Sequence, residues 1–191
     1  MKPETSIIIR SYNEEKHIEK LLIGITKQRL KTKEIILIDS GSTDKTVEIA
    51  KKYNVKILRI NKKDFTFGGA LNIGCNYASS EILVFVSAHV YPLKINWLEK
   101  LINPFQSRDV LVSYGKQIGN HKTKFSEHQI FRKWFPNISY TSNKNYFCNN
   151  ANCSIRKNIW KKYNFNEDLT GLEDLDLAKK IVDNNEGKIS Y

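Results

Sequence analysis

The apolar run at residues 82–87 ends on Ser87-Ala88-His89, so a hydroxyl and an imidazole stand where a buried segment meets solvent. Two similar runs end the same way: residues 6–9 lead into Arg10-Ser11-Tyr12-Asn13 and then Glu14, and residues 35–38 lead into Asp39-Ser40-Gly41-Ser42. Near the other end Glu173 and Asp174 stand side by side. An ionised carboxylate such as Asp39 is an acceptor of hydrogen bonds, either from a ligand or, as a turn residue, from the amides that follow it. An imidazole such as His89 can ligate a divalent first-row metal, or simply end a strand as a polar residue. The two adjacent acids are not equivalent. Thr170-Gly171-Leu172-Glu173 has the T-x-x-E form of a capping box, which would turn Glu173 back onto the first amides of a helix and leave Asp174 free to take a proton. A carboxylate at a helix N-terminus has its charged form favoured, so Asp174 is expected to be a weak base at rest.

The elements that must position these groups alternate. Short β-branched runs at 6–10, 34–39, 55–60 and 81–87 are separated by segments of helical period, and continuous apolar runs are what parallel strands covered on both faces look like. Ile18, Leu21, Leu22 and Ile25 form the first helical stripe, with Asn13 as the expected N-cap; Ser42 is expected to cap the second helix. Gly68-Gly69 opens a third helix bearing Leu71, Cys75 and Ala78, and Asn96 and Glu99 bracket the start of a fourth, which stops before Pro104. This order predicts an α/β fold with right-handed crossovers, whose ligands bind at the carboxyl ends of the strands. The glycine patterns of a dinucleotide loop or a P-loop are absent. In the second half, 110–115 reads as a strand, 126–135 as a short amphipathic helix, and 146–157 as a strand through an Asn-rich stretch. The last segment reads as a helix turning Leu175, Ala178, Ile181 and Val182 inward, then a final strand.

With 191 residues the chain is most simply one domain. Thirty-one Lys and Arg against 20 Asp and Glu give a net charge of +11, which suits nucleic acid, an anionic membrane face or a phosphorylated small substrate. The lysines are dispersed and no aromatic RNA-binding motif stands out, so nucleic acid is disfavoured. No run reaches the roughly 20 apolar residues of a membrane span, and the start lacks a signal-peptide cleavage pattern. Cys75, Cys148 and Cys153 lack zinc spacing and read as reduced, buried thiols of a cytoplasmic protein.

Four stretches in order, SIIIRSYNEE (6–15), ILIDSGSTDKT (37–47), GGALNIGCNYASSEILVFVSAH (68–89) and GLEDLDLAKK (171–180), resemble the GT-A glycosyltransferases of family 2, inverting enzymes that use nucleotide sugars. The resemblance is greatest to bacterial enzymes that build surface polysaccharides. It implies a GT-A fold over 1–191, a mostly parallel sheet flanked by helices, with a nucleotide-binding half to about residue 110 and an acceptor-side half from about residue 111. It also implies that Arg10, Ser11, Tyr12, Glu14 and Asp39 hold the base and ribose, that Asn72 and Ser87 lie on the nucleotide side, and that Glu173-Asp174 is the pair holding the catalytic base, with Asp174 in that role. For Asn72 and Gly74 the alternative is helix entry and close packing on the sheet.

Family members usually end the fourth strand in D-x-D, whose last acid holds Mn²⁺ or Mg²⁺ on the diphosphate. His89 falls on that position here, which leaves a metal ligand, a metal-free diphosphate contact and a plain polar residue all open. Family chains are usually longer, so a continuation beyond Tyr191 is expected. The expected partners are a nucleotide-sugar donor, UDP-linked in preference, and a saccharide or lipid-linked acceptor. The motif of processive synthases, Q-x-x-R-W, is missing, which favours single additions. Residues 122–135 mix Lys122, Lys124, Arg132 and Lys133 with four aromatics. They suit peripheral contact with an anionic membrane, or an ordinary helix covering the sheet. Asn149, Asn150 and Asn152 are candidate contacts to sugar hydroxyls. The rival reading is a non-catalytic nucleotide-sugar-binding subunit; self-association is left open.

Overall fold

The structure is a computed structural model that describes residues 3–121 and 123–191. Its strands are β1 (Thr5–Ser11), β2 (Glu34–Asp39), β3 (Lys56–Arg59), β4 (Ile82–Ser87), β5 (Val110–Tyr114), β6 (Thr141–Ser142), β7 (Asn152–Arg156) and β8 (Lys188–Ser190). The helices are α1 (Ile18–Thr26), α2 (Thr46–Ala50), α3 (Phe67–Tyr77), α4 (Trp97–Ile102), α5 (Phe125–Trp134), α6 (Lys157–Tyr163) and α7 (Glu173–Asp183). All strands join one sheet in the order β3-β2-β1-β4-β7-β5-β8-β6. The first four run parallel, as the apolar runs predict. β7 is antiparallel to both β4 and β5, and β8 runs parallel to β5.

Alternation along each strand divides the core into two layers. Ile8, Ile36, Ile38 and Phe85 face α3, α6 and α7, where Trp160, Leu177 and Ile181 meet them. Ile7, Ile9, Leu37 and Val84 face α1 and α4, against Leu21, Leu22 and Leu98. Gly74 lets α3 lie close on the sheet: a Cβ there would stand 2.6 Å from Ile8 Cγ2. That is the close-packing alternative for Gly74. The register sets the ends of β1, β2 and β4 level, since Ser11 pairs with Asp39 and Arg10 with Ser87.

Several local expectations are corrected. Asn13 does not cap α1, which starts at Ile18 without a side-chain cap; Asn13 instead turns at φ 54° and accepts from the Thr43 amide. Ser42 does not cap α2 but accepts from the Asn13 amide, and Asp44 takes the Thr46 amide instead. The loops after β1 and β2 are thus tied to each other as well as to their helices. Asn96 stands before α4 without a side-chain cap bond. The strand expected over 146–157 shortens to β7, because Asn145, Asn149 and Asp174 take backbone amides of the preceding residues as turn acceptors. On α7 Ala178 and Ile181 are buried as expected and the partly buried Val182 packs on the same core; Leu177 is also inward, while Leu175 is only half-buried. α5 has no fully buried residue; it rests on the core through the partly buried Phe131 and through Phe135, just past its end. Lys122 lies outside the described residues. The three cysteines are free and buried.

Candidate active site

The level ends of β1, β2 and β4 make one rim. Beside it the 147–151 loop and the start of α7 enclose a cleft of about 270 Å³ lined by Arg10, Phe67, Ser87, Phe147, Asn150 and Asp174. Antiparallel pairing of β7 with β4 brings that loop alongside, and the Ser87 amide donates to the Ala151 carbonyl at 3.4 Å. A second cleft of about 500 Å³ opens at the β2–β3 edge, lined by Gly41, Arg59, Asn61, Lys62, Asp64 and Ile73.

The two adjacent acids are held very differently. Glu173 does not form the expected capping box: α7 starts after Leu172 with no side-chain cap bond. Its carboxylate, only 4% exposed, crosses the cleft floor to Arg10, with Nη1 2.8 Å from Oε1. A charged partner outcompetes weakly polarised amides for a buried carboxylate. Asp174 accepts the Asn150 amide on Oδ2 and the Leu175 amide on Oδ1, both at 2.9 Å. Burial nevertheless pushes its carboxyl above the usual range, against the pull of the Asn150 amide and with help from the neighbouring Glu173 charge. The expectation of a weak base is therefore corrected: desolvation outweighs the helix terminus. Asp176, one residue on, pairs with Lys180 at 2.7 Å.

On the nucleotide side Asp39 is buried, and Oδ2 accepts the Gly41 and Ser42 amides at 3.3 and 3.2 Å. Its Oδ1 and the Ser11 hydroxyl have no hydrogen-bond partner. Buried acceptors left empty on paired residues are costly, and a ligand site is one place where such a cost recurs. Tyr12 is half-exposed, with its hydroxyl accepting from Lys62 Nζ at 2.9 Å and the ammonium 4.8 Å from its ring centroid. Arg10 donates to the Phe67 carbonyl at 3.0 Å as well as to Glu173. Asn72 is corrected from a nucleotide contact to a structural one. Its oxygen accepts Trp160 Nε1 and the Phe165 amide, and its nitrogen donates to the Phe165 carbonyl and Glu167, so nothing of the amide is left over. The asparagines expected to meet sugar are also engaged. Asn149 accepts from Gln117, Asn150 approaches Glu173, and the buried Asn152 accepts from Trp97.

His89 is 60% exposed at the end of β4, and its Nδ1 stands 3.0 Å from Glu14 Oε1. Glu14 thus meets His89 through Oε1. His17 lies edge-on to His89, with ring centroids 6.5 Å apart, and meets the Tyr91 hydroxyl. Among the described residues no group of three or more His, Cys, Asp or Glu could hold a metal ion. One imidazole already bonded to a carboxylate does not make a chain-built site for Mn²⁺ or Mg²⁺, and Mg²⁺ in particular demands oxygen donors.

Comparison with known proteins follows the same motifs. The family model described as Glycosyl transferase family 2 matches residues 6–168. The chain belongs to glycosyltransferase family 2. The chain is 24% identical over 189 residues to the O-antigen chain rhamnosyltransferase RfbN of Salmonella typhimurium, covering 93% of this chain and 60% of that protein. It is 32% identical over 123 residues to an uncharacterized glycosyltransferase, RT0329, of Rickettsia typhi, covering 63% of this chain and 39% of the relative. The chain therefore spans between 39% and 60% of the length of these curated relatives. Among solved structures, Staphylococcus aureus TarS 1–349 in complex with UDP-GlcNAc superposes with a TM-score of 0.79 at 23% identity, over 98% of this chain and 55% of that one. The mannosyltransferase PcManGT of Pyrobaculum calidifontis, in complex with GDP-Man and Mn²⁺, gives 0.77 at 16% identity, over 99% and 54%. The fold of the family 2 chain is GT-A, as the resemblance implied.

Three residues that line its clefts escaped the reading of the sequence: Phe67, Phe147 and Lys62. Phe67 carried a signal, since it directly precedes the Gly68-Gly69 that lets α3 begin beside residue 166. For Phe147 and Lys62 the local sequence offers none, because their neighbours come from distant elements.

Proposed function

We propose that this glycosyltransferase inverts the anomeric centre and makes single additions. The sugar comes from a nucleotide-diphospho donor, UDP-linked in preference, and goes to a saccharide or lipid-linked saccharide in surface polysaccharide biosynthesis. One observation carries the reading: Asp174 is a partly buried carboxylate, raised above its ordinary range and held at both oxygens, in a cleft that opens at the ends of β1 and β4. In that cleft Asp174 takes the acceptor hydroxyl's proton as the bond to the anomeric carbon forms. A raised base is better matched to that task than an ordinary carboxylate. Glu173, spent on Arg10, is not the base. Asp39, Ser11 and Tyr12 line the nucleotide side, with the unpartnered Asp39 Oδ1 the acceptor suited to an imide N–H or a ribose hydroxyl.

The TarS complex with UDP-GlcNAc supports a uridine donor, and RfbN, an O-antigen rhamnosyltransferase, supports a polysaccharide acceptor. A divalent ion, where present, would draw most of its ligands from the donor diphosphate, since the described residues build no site of their own. No helix among the described residues is long and apolar enough to cross a membrane. The exposed Phe125, Ile130 and Trp134 of α5, beside Lys124, Arg132 and Lys133, support peripheral contact with an anionic inner membrane face. The test is hydrolysis and transfer across UDP-, GDP- and dTDP-sugars, with Asp174→Asn beside wild type. Turnover lost in the variant with nucleotide affinity kept is the expected result. Turnover retained in Asp174→Asn refutes the base, and nucleotide binding without turnover of any donor in wild type makes the chain a binding subunit.

A further inference from the structure

Arg10 stands at the end of β1, in the loop expected to hold nucleotide, yet its Nη1 is committed elsewhere. Nη1 donates to the Phe67 carbonyl at 3.0 Å and to Glu173 Oε1 at 2.8 Å, and Cζ lies 5.0 Å from the Phe67 ring centroid. Phe67 opens α3 in the nucleotide half; Glu173 opens α7 in the acceptor half, 163 residues away in sequence. Asn150 completes a chain of contacts. Its side-chain nitrogen is 3.5 Å from the same Glu173 oxygen, and its backbone amide holds Asp174 Oδ2 at 2.9 Å.

The start of α7 shows what this arrangement displaces. Leu172 takes the left-handed conformation at φ 64°, unfavourable for a branched side chain, and is 69% exposed, so no packing holds it there. The helix that follows has no side-chain cap, although a T-x-x-E sequence is present. Two local costs at one helix start persist only when surrounding contacts over-determine them. The part-buried Arg10–Glu173 pair is the charged contact that reaches that point from outside the helix, beside the Asn150 and Cys148 hydrogen bonds.

We propose that Arg10 is a positioning residue for the base: it pins Glu173, and through Glu173 and Asn150 the Asp174 carboxylate, to the nucleotide half of the enzyme. The proposal rests on the reading of Asp174 as the base. On this account Glu173 is a strut, and Arg10 acts on turnover through geometry rather than by gripping nucleotide. The other charged or titratable groups at the helix start are Asp174 and Asp176 on α7 and the Cys148 thiol, which donates to the Asp174 carbonyl. None of them is a cation that could replace Arg10.

The experiment compares Arg10→Gln, Arg10→Lys, Glu173→Gln and the double variant Arg10→Gln/Glu173→Gln with wild type. It reads thermal melting, UDP affinity by calorimetry, and kcat and KM with the donor found in the screen. Arg10→Gln is expected to lower the melting temperature and to cut kcat by about tenfold or more, with donor KM and UDP Kd within about threefold. Arg10→Lys restores part of both losses. The double variant melts above Arg10→Gln, because no buried carboxylate is left without its cation. Equal melting of Arg10→Gln and the double variant overturns the proposal. So does UDP affinity weakened about tenfold in both, which makes Arg10 a nucleotide ligand. Failure of the base reading is distinguishable: Asp174→Asn would keep its turnover while the Arg10–Glu173 melting cycle still showed coupling.

Discussion

Replacing Asn72 by alanine separates a structural amide from a nucleotide contact. In the wild type the Asn72 oxygen accepts Trp160 Nε1 at 2.9 Å and the Phe165 amide at 3.0 Å, while its nitrogen donates to the Phe165 carbonyl at 2.9 Å and Glu167 at 2.8 Å. Trp160 and Phe165 are buried, so water cannot substitute once the amide is gone. Two orphaned buried donors at about 1–3 kcal/mol each, partly relieved by local shifts, put the loss at about 3–4 kcal/mol. In a chain of this length each kcal/mol moves Tm by about 2–4 °C, so Asn72→Ala is expected to melt roughly 10 °C below wild type. UDP affinity measured on the folded variant stays unchanged. Asn72→Asp is the sharper control. It keeps the two acceptor bonds, loses both donor bonds, and brings a second carboxylate against Glu167, so it is also destabilised. A variant that melts with wild type but binds UDP ten times more weakly would refute the argument and return Asn72 to the nucleotide site.

Three further substitutions test other parts of the site. Asp39→Asn can keep the turn through its oxygen, Gly41 and Ser42 still donating, while its NH₂ replaces the unpartnered Oδ1. UDP affinity is expected to fall about tenfold, a loss of roughly 1.4 kcal/mol, with little change in melting; unchanged affinity leaves Asp39 a turn residue only. Leu172→Gly removes a left-handed β-carbon and is expected to gain about 1 kcal/mol in stability, read as a melting rise of a few degrees. No gain would mean that the exposed side chain has a partner in the folded chain. His89→Ala, titrated with UDP in the presence and absence of Mn²⁺, is expected to lose whatever enhancement Mn²⁺ gives wild type; equal enhancement in both proteins removes His89 from the metal's surroundings.

The parallel half was legible because apolar runs and helical stripes are local signals, and the motifs fall at strand ends by construction. The half from about residue 111 was not, because its geometry depends on partners remote in sequence. T-x-x-E reads as a cap from four letters, and only the folded chain shows that Arg10 lies near enough to take Glu173 away. Asn72 fails in the same way: a polar residue on a helix at the nucleotide side looks available until Trp160 and Phe165, some 90 positions on, prove to use it. Asn13 and Ser42 follow suit, each expected to cap its own helix and each bonded to the other's loop.

The pH dependence of Asp174 turns that contrast into a measurement. From sequence, a carboxylate in the first turn of a helix should titrate low; in the fold, burial wins and the carboxyl titrates above its usual range. In the proposed role Asp174 accepts a proton only when ionised, so turnover should fall as the pH drops through a value above that of an ordinary carboxylate. Stability carries the opposite sign. An acid raised in the folded state costs nothing below its unfolded pKa and the full penalty above its folded one. The Asn150 and Leu175 amides fall on different oxygens, so the single oxygen of Asp174→Asn keeps only one of them, a loss present at every pH. The melting temperature of the variant relative to wild type should therefore rise between acid and neutral pH. A relative melting temperature that falls over that range would show that the carboxyl titrates low, and the weak-base reading drawn from the helix terminus would then be the correct one.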